Sequence, residues 1–457
     1  NNKKLNIVLN NEKNNNYYIF INPLFKKTPV CYVKIESVDN LKEALKYAKS
    51  LNKRVSIRSG GHSCCVFSIL NGTVNLDMSG LSKIQVNVEE KTVTAQSGAT
   101  MLEYYKETTK YGLASPGGSC PSVCLGGLAL GGGSNMLSIT HGYMLDNIIE
   151  ITILLENGEV VRANKDNQYC DLFWALRGSG HTNYGIVIDY KVKLHAIEPF
   201  FYHNTIDLPF DLIIENNTII NDYSKSMDKR VYLGIENRIT AKTKKLTSIV
   251  IFFFNGPVVD GEKEFRKLVS LLKQPKVIEI DGEKVKKTFV QIIERVPYAN
   301  KPRRSYTKSR FMSEINKESS VAIKNIMEKV PQLLNEMVIN DNIVNFSANV
   351  YYHGGVQNSI SKDECAFIHR GYGSLWSINF ICYYLKEEND KLFSTWKNFL
   401  FQYLDKSFGT QIYQNYPDDE VSNWQERYYG QHYSKLQQIK LKYDPNNYFK
   451  YQQSIEL

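Results

Sequence analysis

No apolar run in these 457 residues is long enough to span a bilayer. The sequence begins at Asn1 without an initiating Met or a leader segment, and is expected to be either a processed polypeptide or a piece that begins there. There is no zinc-finger pattern, no RNA-binding signature and no basic helix with an apolar seam, so neither nucleic acid nor membrane is an expected partner. No G-x-G-x-x-G opens a βαβ unit, which disfavours a Rossmann dinucleotide site. Cysteine is sparse: eight residues, Cys31, Cys64, Cys65, Cys120, Cys124, Cys170, Cys365 and Cys382, do not make a disulfide scaffold at this length. Cys120 and Cys124 are spaced C-x3-C but have no second pair, and adjacent Cys64 and Cys65 rarely reach one metal together. No metal site is expected.

What is present is ordinary for a globular protein: 42% hydrophobic and 23% charged residues, with room for two or three domains. The net charge of +9 is spread along the chain and reads as a solubilising surface. Its densest cluster, KPRRSYTKSR at 301–310, is expected to be an exposed basic loop, and the Asn-rich opening at 1–16 a solvated lead-in. Asn-x-Ser/Thr triplets at Asn71, Asn216 and Asn345 suggest a secretory route, which would make one or two disulfides plausible.

Periodicity gives mixed structure. Ser37 is a candidate N-cap for a helix whose Leu41, Ala44, Leu45, Ala48 and Leu51 share one face. KRVSIRSGG then reads as a strand ending in glycines. Val86, Val88, Val93 and Ala95 alternate around a charged turn as a hairpin. Thr100 and Glu103 form a capping box, and Gly112 closes that helix. A second hairpin turns at Asn157-Gly158. Beyond residue 200, strand-like runs (RVYLGIEN, LTSIVIFFF, NFSANVYY, SLWSINFICYY) alternate with charged amphipathic helices, the pattern of a sheet with helices on one face. The segment 423–443 reads as one helix, stopped by Pro445.

Two glycine-rich loops carry reactive side chains: RSGGHS at 58–63 and GGSCPSVCLGGLALGGG at 117–133. Without Cβ, Gly60 and Gly61 let backbone N–H groups approach an anion, while Arg58 and Ser59 add charge and a hydroxyl. The residues themselves point to a phosphate-bearing cofactor held between two loops. A lone His or Cys would otherwise read as packing.

These loops, together with MLDNIIEITILLENGEVV, DLFWALRGSGHTNYGIV and YDPNNYFKYQQSI, resemble the berberine bridge enzyme-like oxidases of the vanillyl-alcohol oxidase type. The resemblance covers about residues 30–195 and 405–457 and is weak between. It implies FAD bound covalently through His62 and Cys120, with Arg58, Ser59, Gly60, Gly61 and Ser63 at the diphosphate. Gly118, Ser119, Val123, Gly126 and Gly127 would run beside the isoalloxazine, and Ser97, Asn183, Gly185, Val187, Asn415 and Asn447 would complete the enclosure. YQNYPD, 413–418, resembles the family's Y-x-N-Y-x-D segment and implies Tyr416 as the base, with Tyr413, His353 and Trp376 as substrate contacts. A phenol titrating near ~10 needs help for that role. The chain departs from the family at Cys124, at Leu128 and in GGGSN. His353 stands where a tyrosine is common, and Trp376 stands roughly where some relatives carry an acid.

The implied fold is α+β: an FAD-binding domain at 1–198, a substrate domain with a helix-covered antiparallel sheet at 199–409, and a segment at 410–457 returning to the first. The implied activity is a secreted, monomeric FAD oxidase taking hydride from an alcohol or hemiacetal carbon of a sugar-like substrate, with O2 yielding H2O2. Alternatives are a ring- or double-bond-forming natural-product flavoenzyme, a dehydrogenase that excludes oxygen, which Val123 weakly disfavours, and a flavin-carrying binding protein without turnover.

Overall fold

The computed structural model describes residues 5–9, 22–240, 242, 244–277, 282–296, 303–337, 344–371 and 375–457. Most of the opening lead-in, 1–4 and 10–21, lies outside them, although Asn6–Leu9 forms a strand. A four-stranded sheet runs in the order Asn6–Leu9, Cys31–Lys34, Val74–Asp77, Val55–Arg58, and its last three strands are parallel. Helix Val38–Ser50 makes the crossover, and Ser37 Oγ accepts from Asn40 N–H at its start. Leu41, Ala44, Leu45 and Ala48 are buried against Val33, Val55, Val74 and Leu76. Each buried leucine contributes about 2 kcal/mol. Leu51, expected on the same face, is 40% exposed because the helix ends one residue earlier.

A five-stranded antiparallel sheet follows, in the order Ile84–Asn87, Thr92–Gln96, Ile186–Lys193, Ile148–Leu154, Val160–Ala163. Val93 and Ala95 are buried, whereas Val88 falls past the strand end and is exposed. The capping box of Thr100 and Glu103 opens helix Met101–Thr108, and Gly112 ends the turn that follows at φ +67°.

The third sheet has eight strands, all antiparallel. Its path runs Lys276–Val277, Phe201–Leu208, Thr247–Phe254, Val231–Thr240, Asn345–Tyr352, Trp376–Tyr384, Arg304–Met312, and Lys286–Lys287 pairs beside 201–208. One face packs Leu233, Ile235, Ala348, Val350, Ile378 and Phe380 into an apolar cluster with helices such as Val258–Leu271, Lys317–Glu328 and Asp390–Phe401. By the two-residue period of a strand, the alternate side chains point the other way, toward the loops described below.

Four expectations change. The cluster at 301–310 is not an exposed loop: within its described part, Arg304–Met312 is a strand, and Arg304, Lys308 and Arg310 are buried. They pair with Asp390, Asp418 and Asp405 respectively, partners 86 to 110 residues away that local sequence cannot reveal. The helix at 423–443 is broken: Trp424–Tyr429 and Tyr433–Tyr443 flank Gly430, whose φ of +46° no continuous helix adopts. All eight cysteines are free thiols. Asn216 is buried, with its amide donating to the Lys273 carbonyl, so the folded chain closes that triplet to modification. No described helix is long and apolar enough to cross a membrane.

The C-terminal segment packs against the middle of the chain. Tyr428, Tyr429, Leu436, Ile439 and Ile455 share a core with Ile151, Ile153 and Trp174. Buried Lys440 donates to the carbonyls of Asn183 and Phe449 and pairs with Asp444, pinning the tail beneath the 183–187 turn.

Candidate active site

Strand Val55–Arg58 delivers the first loop beside Asp77, its register partner, and the buried Arg58 guanidinium lies 3.6 Å from that carboxylate. The second loop meets it directly. A Cβ on Gly60 would fall 3.0 Å from the Cys124 nitrogen, and one on Gly126 would fall 2.5 Å from Ser59 Oγ. Glycine at these two positions is therefore what lets the loops touch. Across the contact, His62 Nε2 lies 3.0 Å from Ser122 Oγ, and Cys120 Sγ lies 3.7 Å from the same hydroxyl. Two side chains 58 positions apart thus converge on Ser122, a residue that sequence reading passed over. Burial, with Arg303 and Arg58 nearby, holds His62 down to about 4 against the opposing hydrogen bond from its ring to the Ser122 backbone carbonyl, so its imidazole is neutral. Cys124 donates its thiol to Gly98 O at 3.2 Å and is pushed up to about 12 by burial: a packing residue.

The remaining expected cofactor residues divide into two groups. Gly61 takes φ +70° in the loop, and Gly127 has open space where a side chain would stand. Ser97 is buried beneath the loops, its hydroxyl without a hydrogen-bond partner. Asn447 likewise keeps a buried amide oxygen unpaired, in a left-handed turn at φ +46°. The others are engaged with protein. Ser63 caps Phe67 N–H, and Ser119 leans on Met136. Gly118 abuts Leu128, Val123 packs against the apolar core, and Val187 is buried. Asn183 donates to Ser179 and Gly180 carbonyls while accepting from Ile455 N–H, and Gly185 sits where a Cβ would strike Leu154 O. Asn415 donates to Leu128 O and the Tyr413 oxygen.

This donor set fits a diphosphate-bearing flavin. A buried cation, the hydroxyls of Ser59 and orphaned Ser97, and glycine N–H groups line one region, with a neutral imidazole and a thiol at its end.

Strand Arg304–Met312 holds the Tyr416 loop. Ser309 Oγ donates to Tyr416 O at 3.4 Å and lies 3.4 Å from Tyr413 N, while Lys308 and Arg310 grip fully buried Asp418 from either side. Asp418, Asp419 and Glu420 converge closely enough to hold a cation, and Lys308 already reaches all three. Tyr413 packs edge-to-face on Tyr416 with centroids 5.6 Å apart; its oxygen accepts from Gly133 N–H and Asn415 Nδ2. Burial, then Tyr413, Cys120 and Cys64, push the Tyr416 phenol well above its ordinary range. Tyr416, Cys120 and Cys64 are thus neighbours.

The other two expected substrate contacts part ways. His353 is buried, with Nδ1 3.2 Å from Tyr143 Oη and Nε2 2.8 Å from Ser377 Oγ; both nitrogens are taken, and burial holds it down to about 4. Trp376 lies in the helix-facing cluster, its ring 4.9 Å from Tyr352, on the opposite face of the sheet from Ser309.

The side chains opposite Tyr416 are ones the sequence reading missed. Tyr232 and Tyr351 are each close enough that charge on Tyr416 raises their own phenols, and Glu236 acts on both. Glu236 pairs in register with Asn349, Asn349 with Asn379, and Asn379 with Ser309, a polar row across four strands. The alternation was legible in RVYLGIEN and NFSANVYY, where Tyr232, Gly234 and Glu236, and Ser347, Asn349 and Tyr351, interleave with apolar residues.

Known proteins resemble this chain in sequence and in fold. Residues 29–164 match the FAD binding domain family, and residues 412–456 match the family described as berberine and berberine like. An uncharacterized FAD-linked oxidoreductase of Bacillus subtilis, YgaK, is 27% identical over 95% of this chain and 93% of its own length. The structure of Physcomitrella patens BBE-like 1 superposes with a TM-score of 0.85 at 23% identity, covering 99% of this chain and 97% of that one. Xylooligosaccharide oxidase from Myceliophthora thermophila C1, in complex with xylobiose, gives 0.81 at 20% identity, covering 98% and 96%. The fold is that of these two solved structures.

Proposed function

We propose that this chain, a berberine bridge enzyme-like FAD-linked oxidoreductase, is an oxidase that takes hydride from a hydroxyl-bearing carbon of a sugar-like substrate. One observation carries the reading: the sheet face turned toward Tyr416 carries a polar row, Glu236, Asn349, Asn379 and Ser309 in register, where a flat apolar substrate would need apolar side chains. The likeness in fold to an oligosaccharide oxidase supports the same class.

FAD, when bound, would take the hydride and pass the electron pair to O2 as H2O2. Arg58, Ser59, Ser97 and the loop glycines would hold its diphosphate, and His62 and Cys120 would bond to its ring. A neutral imidazole retains the nucleophilic lone pair that such a bond requires. Tyr416 would accept the substrate hydroxyl proton at its phenol oxygen. Burial opposes the phenolate, so positive charge arriving with the substrate would aid that step.

The test is anaerobic reduction of the yellow holoenzyme by a panel of sugars, amino sugars and aromatic alcohols, followed by peroxide release in air. Reduction by sugars with stoichiometric peroxide supports the reading. Reduction by aromatic alcohols alone moves the protein to the natural-product class, and reduction without peroxide makes it a dehydrogenase.

A further inference from the structure

The roof over Tyr416 leaves two buried acceptors unpaired. The amide oxygens of Asn349 and Asn379, register partners on adjacent strands, are both buried without a hydrogen-bond partner. A buried amide oxygen left unpaired is destabilising, so two side by side favour a ligand that brings donors to them. The third member of the row, Glu236, forms its one ion pair among the described residues with exposed Arg238, at a long 3.6 Å. Its carboxyl is raised by burial, which outweighs the opposing charge of Arg238. The row spans about 10 Å at two strand spacings.

Aromatic rings close this row on the Tyr416 side. Tyr351 pairs with Gly234, and a Cβ on Gly234 would lie 3.1 Å from Tyr351 Cδ1, so the ring lies across the neighbouring strand between Tyr232 and Glu236. Glycine there is what lets it lie flat. Glu236 and Tyr351 keep partial exposure, so solutes can reach the row. A carboxylate, two unpaired amide oxygens and the rings of Tyr232 and Tyr351 form a surround that rewards hydrogen-bond donors and positive charge.

We propose that Glu236, Asn349 and Asn379, walled by Tyr232 and Tyr351, form a subsite for the protonated amino group of a hydroxylated substrate, making the preferred substrate an amino sugar or a comparable amino alcohol. The inference rests on the reading of the Tyr416 side as the substrate site. It also relieves a difficulty of that reading. An ammonium held near Tyr351 would favour deprotonation of the Tyr416 phenol, against the burial and the Tyr413, Cys120 and Cys64 neighbours that oppose it.

The experiment is calorimetric titration of the holoenzyme, near neutral pH, with three disaccharides of matched shape: cellobiose, its diamino counterpart built from glucosamine, and the N-acetylated form. The diamino sugar should bind about tenfold tighter than either neutral sugar, the gain expected of one charge-assisted contact. Glu236→Gln should erase that preference, bringing the diamino sugar to the affinity of the neutral pair, and Glu236→Asp should restore part of it. If Glu236→Gln does not fold, Asn349→Asp, which adds a carboxylate one strand away, should strengthen the preference instead. Equal binding of all three sugars, binding of none, or a preference that survives in Glu236→Gln overturns the subsite. Tight, Glu236-dependent binding with no flavin reduction overturns the oxidase reading and leaves the subsite standing.

Discussion

Ser122 Oγ lies 3.0 Å from His62 Nε2, and the same hydroxyl meets Cys120 Sγ at 3.7 Å. The two expected attachment side chains are therefore already gathered at one point. Acid precipitation of the holoenzyme should leave yellow colour in the pellet. His62→Ala and Cys120→Ala should each retain it through the remaining bond, and only the double variant should release free FAD. Colourless pellets from the parent protein would end the covalent reading.

Tyr416→Phe keeps the ring and its packing against Tyr413 while removing the hydroxyl. A positioned base contributes ~100- to 10,000-fold, so stopped-flow flavin reduction should slow by that range, with melting unchanged. Reduction within about threefold of the parent would move the base elsewhere. His353 is a poor substitute, since both ring nitrogens are engaged.

Lys308 and Asp418 are both buried, and they join the roof strand to the Tyr416 loop. Removing one partner strands the other charge, so Lys308→Met alone should cost about 3–5 kcal/mol in urea denaturation. Lys308→Met combined with Asp418→Leu should recover part of that loss. A loss in the double variant equal to the sum of the two single-variant losses would show that the pair is not coupled.

His62, His181, His203, His353 and His369 are each held down to about 4 by burial. In the unfolded chain an imidazole titrates near ~6.5, so protons bind the unfolded state more readily. The stability these neutral rings carry is complete above that value and drains away as pH falls from it toward about 4. For one fully buried ring, such as His353, the loss reaches roughly 3 kcal/mol. Denaturation midpoints should fall steadily from neutral pH to pH ~5. A flat profile across that interval contradicts the assignment.

Much of this protein was legible locally. The Ser37 cap, the capping box at Thr100 and Glu103 and the strand ending at Arg58 are each encoded within a few residues. The two glycine loops were legible too, because only glycine allows backbones to approach as they do at Gly60 and Gly126. Where reading failed, the missing information was a distant partner. KPRRSYTKSR carries the charge of a surface loop, and nothing within it announces the carboxylates of Asp390, Asp405 and Asp418 that allow its strand to be buried.

The sequence by itself determined the order of the elements, the reactive side chains on the glycine loops and the alternating faces of the long strands, all consequences of backbone sterics and side-chain period. Tertiary structure alone decided which face of the eight-stranded sheet looks toward Tyr416. It put Trp376 on the far side, and it set Glu236, Asn349 and Asn379 in one row. Strand pairing between residues more than a hundred positions apart is fixed by the burial of whole apolar faces, and no local window contains that energy.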